Sequence, residues 1–224
     1  MTTFIKSLAR PISVAAIGVF LISGGKVQAA PGGDEVVAYE RRVNEIQASA
    51  PGVIQKKLQV GKKAAFFCAN CHGDVGLSKM GHVPNLAGQN PVYLMMQIQK
   101  FADGRRKDDF MSGLIKALKD EDRLGMALFY ASQAVPPGEV GNARQAQRGR
   151  ALYMRACIGC HGASAHGNRN VARLAGQQSE YLVASLTNYR KRTGQRTDPS
   201  MTSVAANLND EQIAALAEYL TTLP

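Results

Sequence analysis

Tryptophan is missing from this chain, and phenylalanine and tyrosine number only seven each among 224 residues. Units this poor in large rings bury little apolar surface, and small domains of that kind need something else to complete a core. Apolar–polar alternation of the strand type is nearly absent as well, which leaves an all-α chain. No basic or acidic tail stands apart. The formal charge of +10 is spread through both halves, so no arm for nucleic acid is present and no such partner is expected. Long apolar runs are also lacking, with one exception. PISVAAIGVFLI (Pro11–Ile22) follows Lys6 and Arg10 and precedes VQA ending at Ala29. That order of charge, apolar run and small-x-small site predicts a signal peptide over residues 1–29. The run is short for a retained anchor, which needs roughly 20 residues. Export of the mature chain is therefore expected.

Cysteine is scarce and concentrated. All four cysteines, with two of the four histidines, lie in FFCANCHGD (Phe66–Asp74) and RACIGCHGA (Arg155–Ala163). An exported chain with an even number of cysteines would usually form disulfides, but Cys-x-x-Cys-His twice over is not ordinary disulfide spacing. A thioredoxin-like pair would need one such motif beside a βαβ unit, and no strand pattern is near either. Zinc would accept these residue types, yet paired zinc knuckles usually stand roughly 15–20 residues apart, whereas Cys68 and Cys157 are separated by 89. The third reading is attachment of haem c. Cys68 and Cys71, and Cys157 and Cys160, form thioethers to the porphyrin, and His72 and His161 ligate the iron. Two covalently bound haems c are predicted.

The chain repeats itself. CANCHG at 68 matches CIGCHG at 157, NLAGQNPVYL (Asn85–Leu94) matches RLAGQQSEYL (Arg173–Leu182), and ALKDEDRLGMALFYAS (Ala117–Ser132) matches NLNDEQIAALAEYLTT (Asn207–Thr222), at offsets of 88 to 90 residues. Between the copies, Pro136, Pro137 and Gly138 mark a linker. The predicted organisation is an extension over 30–57, a first domain over 58–135, a linker over 136–146 and a second domain over 147–224. Asn90-Pro91 and Ser179-Glu180 read as helix starts. Asp120, Glu121 and Asp122, with Asp210 and Glu211, place negative charge at the start of a last helix in each copy. Leu124, Leu128 and Ala131, and Ile213, Leu216, Ala217 and Leu220, give those helices a core face.

A haem iron needs a sixth ligand or keeps an open site. Of the eight methionines only Met111 and Met201 fall at matching positions of the two copies, in RRKDDFMSG and QRTDPSMTS. They are predicted as axial ligands, with ordinary packing as the alternative. His82 and His166 have no counterparts and are expected to face solvent. Methionine opposite histidine fills both axial positions and raises the reduction potential, so single-electron transfer is expected and catalysis is not. A dihaem peroxidase would need an accessible iron.

As a set, the two C-x-x-C-H-G motifs, the LAGQ stretches (Leu86–Gln89, Leu174–Gln177), the YL pairs after them, the G-x-R turns (Gly104–Arg106, Gly194–Arg196) and the two methionine loops resemble the dihaem cytochrome c4 family over residues 58–224. The resemblance implies two tandem cytochrome c-like domains, each wrapped around a covalent haem, with the haem propionate edges approaching one another. It also implies electron transfer in the periplasm, commonly toward a terminal oxidase. Two positions depart from the family pattern. Pro84 stands two residues before the first LAGQ, where its carbonyl helps orient the histidine, but Ala172 stands before the second. The extension is the other departure. Val36, Tyr39, Val43 and Ile46 form an apolar stripe that either packs on its own body or docks a partner subunit.

Two functions are consistent with these features. One is a carrier between a quinol-oxidising complex and an oxidase or reductase. The other is the electron-accepting subunit of a periplasmic dehydrogenase, such as a flavocytochrome c sulfide dehydrogenase, working beside a flavoprotein. Beyond residue 29 there remain 24 basic and 17 acidic side chains, with clusters at Lys56-Lys57, Lys62-Lys63, Arg105-Arg106-Lys107 and Arg190-Lys191-Arg192. Such clusters steer redox partners with acidic docking surfaces.

Overall fold

The computed structural model describes residues 33–136, 138 and 141–224. The predicted signal peptide and Pro137 of the linker lie outside them. The first half contains α1 (Gly33–Gln47), α2 (Pro51–Ala64), α3 (Ala69–His72), α4 (Pro91–Ala102), α5 (Asp109–Lys116) and α6 (Asp120–Ala131). The second contains α7 (Ala143–Ala156), α8 (Ile158–His161), α9 (Ser179–Lys191), α10 (Pro199–Ala205) and α11 (Asp210–Thr221). Among the described residues the only extended pairing is an isolated bridge between Asn168 and Val171, as an all-α chain requires. No described helix is long and apolar enough to cross a membrane.

Each half is built on one helix crossing, α2 over α6 and α7 over α11. Both crossings are closer than side chains permit. A Cβ added at Gly61 would lie 1.9 Å from the carbonyl oxygen of Gly125, and one at Gly149 would lie 1.9 Å from that of Ala215. Glycine is therefore a packing requirement here, although it disfavours a helix interior by roughly 1 kcal/mol. Around the crossings sit Leu124, Met126 and Leu128 in the first half and Tyr153, Ile213, Leu216 and Leu220 in the second. The acidic first turns of α6 and α11 are present as predicted, the second closed by a reciprocal capping box between Asn209 and Gln212.

Two helix starts differ in detail from the sequence reading. α9 begins one residue earlier, with Gln178 at the N-cap and Ser179 already helical. Asn90 holds the N-cap position of α4, but its side chain does not cap. Its amide reaches the other half and donates to the carbonyls of His166 (3.0 Å) and Val171 (2.7 Å).

The described part of the extension holds α1 and the opening turns of α2, and the apolar stripe on α1 is turned inward. Val43 is 2% exposed, and Val36, Tyr39 and Ile46 pack with it against the first core. Arg42 pairs with Asp120 at 2.8 Å, Glu35 with Arg105 at 2.9 Å and Glu40 with Arg169 of the second half at 2.8 Å. The alternative of a docking helix that offers this stripe to a partner subunit is thereby removed.

Replacing Gly149 by alanine forces backbone against backbone, so a loss of about 1–3 kcal/mol is expected in denaturant unfolding of the haem-loaded protein. Gly52→Ala, where nothing lies within 4 Å of the added carbon, serves as the control. It should be neutral or mildly stabilising. Equal effects at the two positions would contradict the close-crossing account.

Candidate haem sites

The Cys-x-x-Cys-His spacing is realised as one helical turn. The His72 amide donates to the Cys68 carbonyl at 2.8 Å, and that of His161 to the Cys157 carbonyl at 3.0 Å. Positions i, i+3 and i+4 of such a turn share a face. Cys68, Cys71 and His72 are thus presented together, as are Cys157, Cys160 and His161. The next residue reverses the chain at positive φ, +80° at Gly73 and +76° at Gly162, which is why glycine completes the motif.

Both histidines are 7% exposed. Each Nδ1 lies 2.9 Å from a backbone carbonyl oxygen, that of Pro84 for His72 and that of Ala172 for His161. The alanine in place of proline changes nothing in this contact. With Nδ1 engaged by an acceptor, Nε2 is the nitrogen left for an iron. Burial lowers both histidines below the ordinary imidazole range, the carbonyl contacts opposing it only in part. That shift favours the neutral form, which a ligand must have.

None of the four cysteines is in a disulfide. Burial raises the Cys68 thiol and pushes that of Cys157 up to about 11, with Cys160 adding to the second shift. These are the opposite of the low values that make a redox thiolate reactive. Among the described residues no three His, Cys, Asp or Glu side chains are grouped closely enough to hold a metal ion by themselves.

In the first half one hollow joins the predicted residues. Cys68, Cys71, His72 and Met111 line it together with Phe67, Phe110, Leu114, Ile115 and Leu118. Two thiols, an imidazole and a thioether within apolar walls form a donor set that fits haem c. Met111 and Met201 are each held at the third residue of a capped helix. Asp108 Oδ1 accepts from the Met111 amide at 2.9 Å, and Asp198 Oδ1 from the Met201 amide at 3.0 Å. His82 and His166 are exposed, as expected.

Sequence reading passed over the seam between the halves. Gln89 and Gln177, the last residues of the two LAGQ stretches, are each 6% exposed and bond into the opposite half. Gln89 accepts from the Arg173 amide (2.7 Å) and donates to the Arg173 carbonyl (2.9 Å). Gln177 does the same to Asn85, at 2.7 and 2.9 Å. The Tyr93 amide donates to the Arg169 carbonyl and the Tyr181 amide to that of Gly81, both at 3.1 Å. All these pairs are related by one offset of 88 residues, so the seam has approximate twofold symmetry. That common offset, together with polar residue types inside an otherwise apolar stretch, was the available signal.

Arg106 and Arg196, from the two G-x-R turns, meet at the Tyr181 hydroxyl, and both donate to it. Arg106 also stacks on Phe101 and Arg196 on Tyr181 and Tyr189. Burial alone would raise Tyr181, but the two guanidiniums outweigh it and hold the phenol down at about 8. Among the described ion pairs neither arginine has a carboxylate partner. Two converging cations at the seam suit the propionates that haem carries, and these arginines would hold them.

A Cytochrome c family profile matches residues 146–224. The chain is similar to cytochrome c4 of Pseudomonas aeruginosa, 34% identical over 172 residues that cover 71% of this chain and 85% of the relative. It is similar to a thiosulfate dehydrogenase electron acceptor of Stutzerimonas stutzeri, 32% identical over 171 residues, 70% of this chain and 78% of the relative. Its fold is similar to the crystal structure of reduced recombinant cytochrome c4 from Pseudomonas stutzeri, with a TM-score of 0.69 at 31% identity, covering 74% of this chain and 98% of that one.

Asp198→Ala removes a helix cap worth about 1 kcal/mol and frees the loop that carries Met201. The long-wavelength sulfur-to-iron absorption of the oxidised protein is expected to fade at a lower temperature on one haem of the two, with the helical circular dichroism unchanged at that temperature. An unaltered fading profile would show that the cap does not hold the methionine.

Proposed function

This chain belongs to the cytochrome c4 family, and we propose that it works in the periplasm as a dihaem carrier, taking single electrons from a quinol-oxidising complex and passing them to a terminal oxidase or reductase. It is an electron-transfer cytochrome with covalently bound haem c, a carrier and not a catalyst. Each haem, when bound, supplies an iron that gains and loses one electron. In the proposal Cys68 and Cys71 tether the first haem and Cys157 and Cys160 the second. His72 with Met111, and His161 with Met201, are the axial pairs. The proposed domains, 58–135 and 147–224, begin within α2 and α7.

The observation that carries this reading is the duplicated histidine geometry. In both halves a buried imidazole is aimed by one carbonyl and shares a helical turn with two unpaired thiols, and each half carries a capped methionine loop, which in the first half lines the same hollow as the histidine. With the thiols consumed as thioethers and each imidazole Nε2 on an iron, that arrangement would leave no general base and no nucleophile. With haem bound, these residues would supply both axial ligands from a fixed frame, which suits rapid electron exchange. The predicted signal peptide supports the periplasmic assignment.

Partners with acidic docking surfaces suit the charge. The helices entering both attachment motifs, α2 and α7, contain no acidic residue, and they carry Lys56, Lys57, Lys62 and Lys63, and Arg144, Arg148, Arg150 and Arg155. Of these only Lys57 forms an ion pair among the described residues, with Glu121. A second reading, acceptor for a periplasmic dehydrogenase, is favoured by the similarity to a protein named as a thiosulfate dehydrogenase electron acceptor.

Reduction by a quinol–cytochrome c oxidoreductase and reoxidation by membranes containing a haem–copper oxidase should both proceed, and both should slow several-fold from low to physiological ionic strength. Rates indifferent to salt would contradict acidic docking. Failure with both enzymes, with prompt reduction by thiosulfate and its dehydrogenase, would replace the first reading by the second.

A further inference from the structure

One peptide unit carries two contacts in each half. The Pro84 carbonyl faces His72 Nδ1 at 2.9 Å, and the N–H of the same peptide, on Asn85, donates to Gln177 Oε1 at 2.7 Å. In the other half the Ala172 carbonyl faces His161 Nδ1 at 2.9 Å, and the N–H of that peptide, on Arg173, donates to Gln89 Oε1 at 2.7 Å. A line of two hydrogen bonds through a single conjugated amide thus joins each histidine to a buried glutamine of the opposite half. The glutamines themselves are held. Their amide nitrogens donate to the Asn85 and Arg173 carbonyls, and each Oε1 also accepts from the next residue of its own chain, Gln178 or Asn90, at 3.0 Å.

We propose that Gln177 is a positioning residue for the haem bound at His72, and Gln89 for the haem bound at His161, so that each half tunes the other's iron. The proposal rests on the reading of these histidines as iron ligands. Its physical basis is the polarisation of the bridging peptide. A bond accepted from its N–H draws electron density toward its carbonyl oxygen, which becomes a stronger acceptor for the imidazole N–H. A stronger acceptor makes the imidazole a more electron-rich ligand and favours the oxidised iron. Neither glutamine approaches the histidine of its own half by such a path, because Gln89 bonds to Arg173 and Gln177 to Asn85. The influence is therefore crossed.

The test is a redox titration of the intact dihaem protein and of two single variants. Haem methyl resonances, assigned to each haem by their contacts within its own half, report the two irons separately. In Gln177→Leu the haem on Cys68 and Cys71 should become easier to reduce, its oxidised-to-reduced ratio at fixed ambient potential falling about two- to threefold. The haem on Cys157 and Cys160 should shift less. Gln89→Leu should give the mirror result. Gln177→Glu keeps an acceptor for the Asn85 amide, so it should restore the first haem toward or below its original potential, which a merely structural role for the glutamine would not do. Shifts confined to the mutated half, or equal at both haems, would overturn the proposal. If a leucine variant does not assemble, the glutamate variant alone decides, because a change larger at its own haem also overturns it. Wild-type spectra without histidine–methionine coordination would instead refute the ligand reading.

Discussion

The buried amides of Gln89 and Gln177 tie the two halves of this molecule together. Each satisfies one N–H and one C=O of the opposite backbone, four protein–protein bonds that are shielded from water. Buried backbone groups left without such partners cost roughly 1–3 kcal/mol apiece, so the seam is stable only with both glutamines in register. The peptides they hold are the ones that aim His72 and His161. Association of the halves and orientation of the candidate ligands are in this way a single constraint. The arginines at Tyr181 and the helix α1, which reaches across through Glu40 to Arg169, add to a junction that these amides define.

Duplication explains the economy of the architecture. Each half crosses the helix that enters its attachment motif over its last helix at a glycine, turns a histidine inward one helical turn after a cysteine, and caps a methionine loop with an aspartate. None of these devices needs a large aromatic core. A haem held by two thioethers supplies the apolar body that a chain without tryptophan lacks. The copies differ where no such device is involved. Phe66 and Phe67 precede the first motif and Arg155 and Ala156 the second, which gives the two sites different surroundings on a common frame.

Much of this was legible in the sequence. The motif spacing, the matched methionines and the acidic helix starts each reflect local chemistry, and local chemistry is what a one-dimensional reading captures. The apolar stripe of α1 was legible as a stripe, but its partner surface was not, because an amphipathic pattern carries no address. The glutamines of LAGQ were visible only as repeated letters. Their role depends on contacts between residues 84 and 92 apart, and no periodicity within either copy encodes them. The same holds for Gly61 and Gly149. Inside a helix they look like weak points, and only the crossing helix makes them necessary. Alanine in place of proline at Ala172 departs from the family pattern, but a backbone carbonyl survives that change, and the contact to His161 uses it.

The central claim is that two haems are held with both axial positions filled by protein. Exposure of the fully reduced protein to carbon monoxide at neutral pH tests it most directly, with the haem content of the same sample measured by alkaline pyridine absorbance. The account predicts two haems per chain and no change in the reduced spectrum on adding the gas. Rapid binding of one or two equivalents would contradict it, showing that Met111, Met201 or both leave the iron open.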